Sequence, residues 1–189
     1  MILETIVTTL DSDGRAHIRP LGVTLRGEYL VLAPFTPSRT QDNLRVRRSA
    51  VINYTTDVRV FAGTLTGRHQ WPVVAARKID GVRLRDTLAH KEVEVVEIED
   101  DSIRPRFVCR TVFAESHAPY SGFNRAQAAV LEAAILVSRL NRLPVEKVDA
   151  ELAYLRISLE KTAGPLEREA WEWLMEAVDA YRRGQACVT

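Results

Sequence analysis

The hydrophobic pattern of this chain changes character near Tyr120. Before that point, short apolar runs either alternate with polar residues or are nearly continuous in Val, Ile and Leu, and turn residues separate them. This pattern is typical of β-strands. The predicted strands span residues 2–9, 15–24, 28–33, 50–54, 91–98 and 106–115. Their number and short length favour a barrel over repeated βαβ units.

Turn and capping signals place other elements in this first half. Asp11-Ser-Asp13-Gly14 predicts a hairpin turn, because glycine readily adopts positive φ. Ser38 is a good helix N-cap, so we predict a short helix over 40–48. Residues 57–62 are predicted as strand or turn, and the periodicity between Gly63 and His90 is weak.

After Tyr120 the apolar positions recur with helical spacing. The pattern predicts helices over 126–142, 144–161 and from Gly164-Pro165 to about Tyr181. We therefore expect an α+β (mainly β) protein with two parts. Residues 1–119 form the barrel domain, and residues 120–189 form a helical extension that packs on the barrel or on a partner subunit.

Bulk composition narrows the choice of partners. The net charge of +1 gives no electrostatic argument for binding nucleic acid or an anionic membrane. The two cysteines, Cys109 and Cys187, provide no disulfide framework. We see no signal-peptide pattern and no apolar run long enough for a membrane span, so we expect a cytoplasmic protein.

The side chains that carry catalysis are sparse. The four histidines are scattered along the sequence, so we expect no metal site. No P-loop, nucleophile elbow or GxGxxG motif is present. Glu92 and Glu94 fall on the same face of a strand, which we interpret as a solvated face. Catalysis by side chains alone is therefore not expected, and a cofactor is favoured.

The segment from His17 to Asn43 is the most informative. A strand that carries Arg19 is followed by a strand that ends in Ser38-Arg39-Thr40 at a helix start. Free N–H groups, two hydroxyls and a guanidinium would suit a phosphate, and Gly22 would let a planar ring approach the backbone. The alternative is a capped surface helix with Arg39 simply exposed.

The same segment resembles the FMN-binding split-barrel superfamily, which includes pyridoxamine phosphate oxidases and flavin reductases. Those proteins have an arginine-bearing strand, then a strand ending in an aromatic residue or threonine, then Ser-Arg-Lys for the FMN phosphate. Arg19, Phe35 and Ser38-Arg39-Thr40 stand in a similar arrangement here. Because Thr40 replaces the lysine, one positive charge is missing.

A closer resemblance is to the uncharacterised family catalogued as domain of unknown function 447. It is carried by the patterns Arg19-Pro-Leu-Gly-Val23, Ser38-Arg-Thr40 with Asn43-Leu44, Gly122-Phe-Asn-Arg-Ala126, Ser138-Arg139-Leu140 and Lys161-Thr-Ala-Gly164. This resemblance implies a flavoprotein-like homodimer with the flavin near the subunit interface. It also implies a link to tetrahydromethanopterin-dependent one-carbon metabolism, with no reaction established.

The resemblance also implies a set of FMN contacts. The ring would lie along Ile18, Arg19, Leu21 and Gly22, and Ser38, Arg39, Thr40 and Asn43 would take the phosphate, with Phe35 nearby. Asn124 and Arg125 could reach the site, from the partner subunit in one arrangement. The alternative for them is a helix N-cap followed by an exposed arginine.

Three functions follow from these observations. The first is an FMN-dependent oxidoreductase, in which the flavin supplies the chemistry. The second is a binding or sensor protein for a flavin, a deazaflavin or a pterin-like ligand, without turnover. The third is the binding of haem or another tetrapyrrole, for which His17 would be the iron ligand.

Overall fold

The computed structural model describes residues 1–184 and divides the chain into two compact units. The first unit comprises Met1–Thr55 and Gln70–Tyr120, and the second comprises Thr56–His69 and the chain from Ser121 onward. Cys187 lies outside the described residues. A short internal segment thus belongs with the C-terminal helices, although it interrupts the strands in sequence.

The first unit is an antiparallel β-barrel, as the strand pattern predicts. Its eight strands are β1 (Ile2–Leu10), β2 (Ala16–Arg26), β3 (Tyr29–Leu32), β4 (Ser49–Tyr54), β5 (Val73–Ala75), β6 (Val82–Leu84), β7 (Ala89–Glu99) and β8 (Arg106–Ser116). Six of them close a barrel in the order β1-β2-β3-β8-β7-β4, and β5 pairs with β6 in a separate hairpin. A short helix, α1 (Arg39–Arg47), connects β3 to β4.

Inward-facing apolar side chains fill the barrel. They include Val7, Val23, Leu32, Ile52, Val93, Phe107 and Cys109. Burial raises the pKa of the Cys109 thiol to about 12, so this cysteine is a neutral core residue at physiological pH. The alternation of inward and outward residues along each strand explains why the period-two pattern predicts these strands well.

One edge of β2 is paired along only part of its length. β1 pairs with β2 from Ile2 to Leu10, whereas β3 pairs with β2 only over Val23–Arg26. Within residues 1–184, no strand therefore flanks Leu21 and Gly22 on the side away from β1. Pro20 fits this position, because proline in a sheet is tolerated at an edge, where a missing N–H costs nothing.

The β5–β6 hairpin covers a polar patch on the outer face of the barrel. The hydroxyl of Thr8 donates to the carbonyl of Val82, and Asn53 Oδ1 accepts from the Leu84 N–H at 2.8 Å. Glu92 lies under the segment that joins the two strands and is fully buried. The predicted solvated face at Glu92 is thus wrong, since a hairpin in the weakly periodic segment covers it, while the Glu94 side chain is 46% exposed.

The second unit is helical. It contains α2 (Val58–Leu65), α3 (Arg125–Val137), α4 (Val145–Thr162) and α5 (Pro165–Arg182), which share one apolar core. Residues 57–62 are therefore helical rather than strand or turn. Asp57 caps α2 by accepting the Arg59 N–H at 3.1 Å, and Val58 and Ala62, four residues apart, both enter the core. Within residues 1–184, every helix is too short or too polar to cross a lipid bilayer.

Candidate functional site

The start of α1 has the geometry of an anion-binding helix end. Ser38 is the N-cap, with extended backbone (φ −157°, ψ 146°), and its Oγ accepts the Gln41 N–H at 3.3 Å. The Ser38 hydroxyl keeps its own proton for donation. The N–H groups of Arg39 and Thr40 belong to the first turn, where a helix provides no internal acceptor. Donors and the positive end of the helix dipole therefore meet here.

Two arginines from neighbouring elements interact electrostatically at this end of α1. Arg19 lies on β2 and is half-buried, whereas Arg39 opens α1 and is exposed. Burial lowers the pKa of Arg19, and repulsion from the charge of Arg39 lowers it further. The carboxylate of Asp11, which also interacts electrostatically with Arg39, partly offsets the repulsion between the two guanidinium groups.

Two of the residues predicted to contact phosphate face the protein interior. Thr40 and Asn43 are only 6% and 5% exposed. The Asn43 side-chain amide donates to Thr9 Oγ1 at 2.8 Å, which ties α1 to β1. Asn43 thus has a clear structural role that the sequence analysis did not predict, and its contact with a phosphate stays a prediction.

Strand β2, which is predicted to lie along the flavin ring, has a buried side chain and close contacts with β1. Ile18 is 6% exposed. The Leu21 carbonyl accepts the Thr5 hydroxyl at 2.9 Å. A Cβ on Gly22 would lie 2.9 Å from Ile2 Cγ2, so a larger residue here would require the exposed Ile2 side chain to move. The use of Gly22 for ring approach stays a prediction.

The loop after β3 is held by a residue that the sequence analysis missed. Phe35 is 58% exposed, and the guanidinium of Arg104 lies 4.9 Å from the centre of its ring. Arg104 Nε also donates to the Ala33 carbonyl at 2.9 Å. These contacts position the loop that leads into Ser38, although nothing local in the sequence around Arg104 indicates them.

Asn124 and Arg125 follow the helix-capping alternative within the second unit. Asn124 Oδ1 accepts the Ala126 N–H at 2.8 Å, and its Nδ2 donates to the Thr162 carbonyl at 3.0 Å. Arg125 is exposed at the first position of α3. A contact of either residue with a flavin stays a prediction.

A second group of polar side chains lies on β7 and β8. His90 Nδ1 is 2.9 Å from His117 Nε2, and His90 Nε2 is 3.3 Å from Glu92 Oε1. His117 also lines a cavity of about 650 Å³ together with Tyr54, Ser116 and Tyr120. The sequence places these histidines 27 residues apart, so only the pairing of β7 with β8 shows that they meet.

Comparisons with known structures identify the fold. An FMN-bound protein from Methanosarcina mazei superposes with a TM-score of 0.80 at 20% identity, over 93% of this chain and 94% of that one. Flavoredoxin from Methanosarcina acetivorans superposes with a TM-score of 0.52 at 15% identity, over 61% and 69%. A 2-nitrobenzoate 2-nitroreductase from Pseudomonas fluorescens gives 0.54 at 20% identity, over 60% and 64%. The barrel thus has the split-barrel fold of FMN-binding proteins.

Family models account for most of the chain. The N-terminal domain described as a protein of unknown function (DUF447) matches residues 3–118, and the companion DUF447 model matches residues 124–176. No curated protein matches the chain. The M. mazei structure is itself described as DUF447. This chain therefore belongs to the DUF447 family.

Proposed function

We propose that this protein binds FMN and acts as an FMN-dependent oxidoreductase. One observation carries the proposal: α1 begins with the Ser38 cap and Arg39 next to β2, whose Arg19 lies within electrostatic range of Arg39 and whose residues before Val23 have no second strand neighbour. Support comes from the FMN-bound family member and from the reductases that share the fold.

The phosphate fits the charge of the site. A phosphate monoester carries about −1.5 to −2 charges at pH 7. Two guanidinium groups and the roughly half charge of a helix N-terminus, partly offset by the Asp11 carboxylate near Arg39, match this value without the lysine that Thr40 replaces. Arg39 is the exposed member of the pair, so it is free to form a bidentate contact with the phosphate.

The ring fits the open edge of β2. Backbone N–H and C=O groups at an unpaired strand edge present the same donors and acceptors that another strand would use. The N–H and C=O of Gly22 lie at that edge, whereas the Leu21 carbonyl is turned to β1 and accepts the Thr5 hydroxyl, and the edge of an isoalloxazine offers complementary acceptors and donors. In this arrangement the main chain holds the ring and the start of α1 holds the phosphate.

Bound FMN would supply hydride or electron transfer, and the protein's own residues would bind and orient it. Ser38 and Arg39 would fix the phosphate end, while residues 18–22 would fix the ring end. Arg104 would hold Phe35 in place within the loop that joins β3 to α1. The distance between the phosphate-binding residues and the ring-binding residues would then set where the reactive part of the ring lies.

The phosphate role of Arg39 is tested with two ligands. We expect Arg39→Ala to weaken FMN binding about 10- to 150-fold, since a charge-assisted hydrogen bond contributes about 1.5–3 kcal/mol. Riboflavin lacks the phosphate, so its affinity for the variant should match that for the wild type. Arg168→Ala, an exposed arginine on α5, is the matched control. Equal losses for both flavins, or unchanged FMN affinity, would place the phosphate elsewhere.

Turnover is tested separately from binding. The flavin-loaded protein is mixed anaerobically with NADH or NADPH, and the flavin absorbance is followed. Bleaching that recovers when an acceptor is added supports an oxidoreductase. A flavin that binds but is inert to every donor supports the binding or sensor protein instead.

We also propose a homodimer with the flavin near the subunit interface, and a role in tetrahydromethanopterin-type one-carbon metabolism in the cytoplasm. The family resemblance supports both. Sedimentation of the flavin-loaded protein tests the dimer. Oxidation of the reduced flavin by a pterin-like acceptor, compared with a quinone or a simple aldehyde, tests the metabolic role.

A further inference from the structure

His90 and His117 lie outside the proposed flavin site, and together with Glu115 they are arranged as possible metal ligands. His90 on β7 faces Glu115 on β8 in the strand register, and His117 follows directly after β8. One ligand atom from each of His90, Glu115 and His117 lies within 4.8 Å of the others. The His90 side chain is 1% exposed, whereas the His117 and Glu115 side chains are 19% and 28% exposed. The group thus runs from the buried outer face of the barrel to the surface.

Glu92 fixes the orientation of His90. Its Oε1 accepts the Arg77 N–H at 2.6 Å, and its Oε2 accepts the Lys78 and Ile79 N–H groups at 2.7 and 3.2 Å. A carboxylate so surrounded by donors acts as an acceptor only, so the contact at 3.3 Å is a donation from His90 Nε2–H. In the neutral His90 ring, Nδ1 is then the acceptor nitrogen, and it lies 2.9 Å from His117 Nε2.

We propose that His90 Nδ1, His117 Nε2 and a carboxylate oxygen of Glu115 form a binding site for a divalent transition metal, with Zn²⁺ the best match. Imidazole and carboxylate ligands suit Zn²⁺, and three protein ligands leave one position for water or a substrate atom. Glu92 completes a carboxylate–histidine–metal arrangement, in which the second-sphere carboxylate sets the tautomer of the ligand. His117 also lines the cavity that contains Ser116 and Tyr120, through which a ligand for the open position would reach the site.

Binding a metal requires an adjustment of the three ligand atoms, which lie within 4.8 Å of one another. Two nitrogens bound tetrahedrally at roughly 2.0–2.1 Å from Zn²⁺ lie about 3.3 Å apart. The present separation is 2.9 Å, which is a hydrogen bond from His117 Nε2–H to His90 Nδ1. Zn²⁺ takes the place of that proton when His117 carries its proton on Nδ1 instead, and the separation of the two nitrogens widens from 2.9 Å to about 3.3 Å.

The surrounding charges set the choice of ligand in the open position. Arg77 pairs with Glu115 Oε1 at 3.0 Å, and Glu115 Oε2, which now lies 3.9 Å from His117 Nδ1, is the oxygen assigned to the metal. Arg83 also acts electrostatically on His117. Two carboxylates and two guanidinium groups balance before the metal binds, so the loaded site carries net positive charge. An anionic or readily deprotonated oxygen ligand is therefore favoured in the fourth position.

The test uses the full-length protein, stripped with a chelator and reloaded with Zn²⁺ alone. We expect one Zn²⁺ per chain by elemental analysis. His117→Ala should weaken Zn²⁺ affinity by roughly 100-fold or more, because even second-sphere changes cost about 10- to 100-fold. Glu115→Gln should also weaken it. His69→Ala, an exposed histidine in the second unit, should bind Zn²⁺ like the wild type.

Nuclear magnetic resonance can identify which histidine nitrogens bind the metal. Long-range ¹H–¹⁵N spectra of the zinc-loaded protein should show metal attachment through Nδ1 of His90 and Nε2 of His117. Failure of the wild type to retain Zn²⁺ would overturn the proposal. So would equal Zn²⁺ affinity in His117→Ala and His69→Ala, or attachment through His90 Nε2. Circular dichroism of each variant verifies that the chain is folded.

Discussion

The charge of Arg39 at the start of α1 acts on Arg19 in the neighbouring strand β2 and, together with burial, lowers the pKa of the Arg19 guanidinium. The fold thus holds two cations near each other across two elements. Such an arrangement has an electrostatic cost in the ligand-free protein, which a bound anion would relieve. The same cost makes the site sensitive to ionic strength.

We expect FMN affinity to fall as ionic strength rises, while riboflavin affinity stays nearly constant. Raising the salt from about 0.01 M to about 1 M shortens the Debye length from roughly 30 Å to roughly 3 Å, which screens the attraction of both arginines for phosphate. Fluorescence titrations at several salt concentrations measure the effect. Arg39→Ala should give a shallower salt dependence for FMN. Parallel salt curves for the two flavins would contradict a phosphate site at α1.

Gly22→Ala separates packing from flavin binding. The added methyl group would meet Ile2 Cγ2 at 2.9 Å, but Ile2 is 62% exposed and can move. We expect the free energy of unfolding to fall by less than about 1 kcal/mol, with a larger loss in FMN affinity because the flavin ring lies on this strand. The double variant Ile2→Ala with Gly22→Ala should regain stability without regaining FMN affinity. Recovery of both would show that the glycine serves only β1.

Asn43→Ala tests the tie between α1 and β1. The variant removes a 2.8 Å buried hydrogen bond and leaves the Thr9 hydroxyl without that donor. We expect a loss of about 1–3 kcal/mol in the free energy of unfolding, measured in urea. Thr9→Val alone and the double variant complete a mutant cycle. A coupling energy near zero would contradict a direct role for this contact.

Glu92→Gln should destabilise the barrel far more than the same change two residues away. Glu92 accepts three backbone N–H groups under the β5–β6 hairpin, and the amide of Gln would turn a donor toward some of them. We expect a loss of about 3 kcal/mol, since hydrogen bonds to charged groups contribute about 1.5–3 kcal/mol each. Glu94→Gln, at a half-exposed position, should change stability by less than about 0.5 kcal/mol. Urea unfolding in the presence of a chelator compares the two, and similar losses would contradict the prediction.

The sequence predicts the barrel strands and the C-terminal helices well, because alternating or helical periodicity reflects one-sided burial. It fails where burial depends on an element without a periodic signal. Glu92 has the pattern of a solvated strand face, but the weakly periodic segment that contains β5 and β6 folds over it. Residues 57–62 are predicted as strand or turn, yet capping by Asp57 and the helical core of the second unit select a helix that begins at Val58.

The candidate site also contains residues that the sequence predicts and residues that only the fold brings together. Ser38 as N-cap and Arg39 at the helix start follow from local residue preferences. The proximity of Arg19 to Arg39 and of His90 to His117 depends on strand pairing between distant segments. Asn43 shows a further limit, since a polar residue beside a phosphate-binding pattern can point inward and bind another part of the chain.

The open edge of β2 has a consequence for the protein during synthesis and storage. An exposed strand edge is a template on which another chain can add a strand, and natural proteins usually protect such edges. Pro20 limits this edge in part, since it provides no N–H for a foreign strand. A flavin seated there would complete the protection, so the cofactor would act as a safeguard against aggregation as well as a reagent.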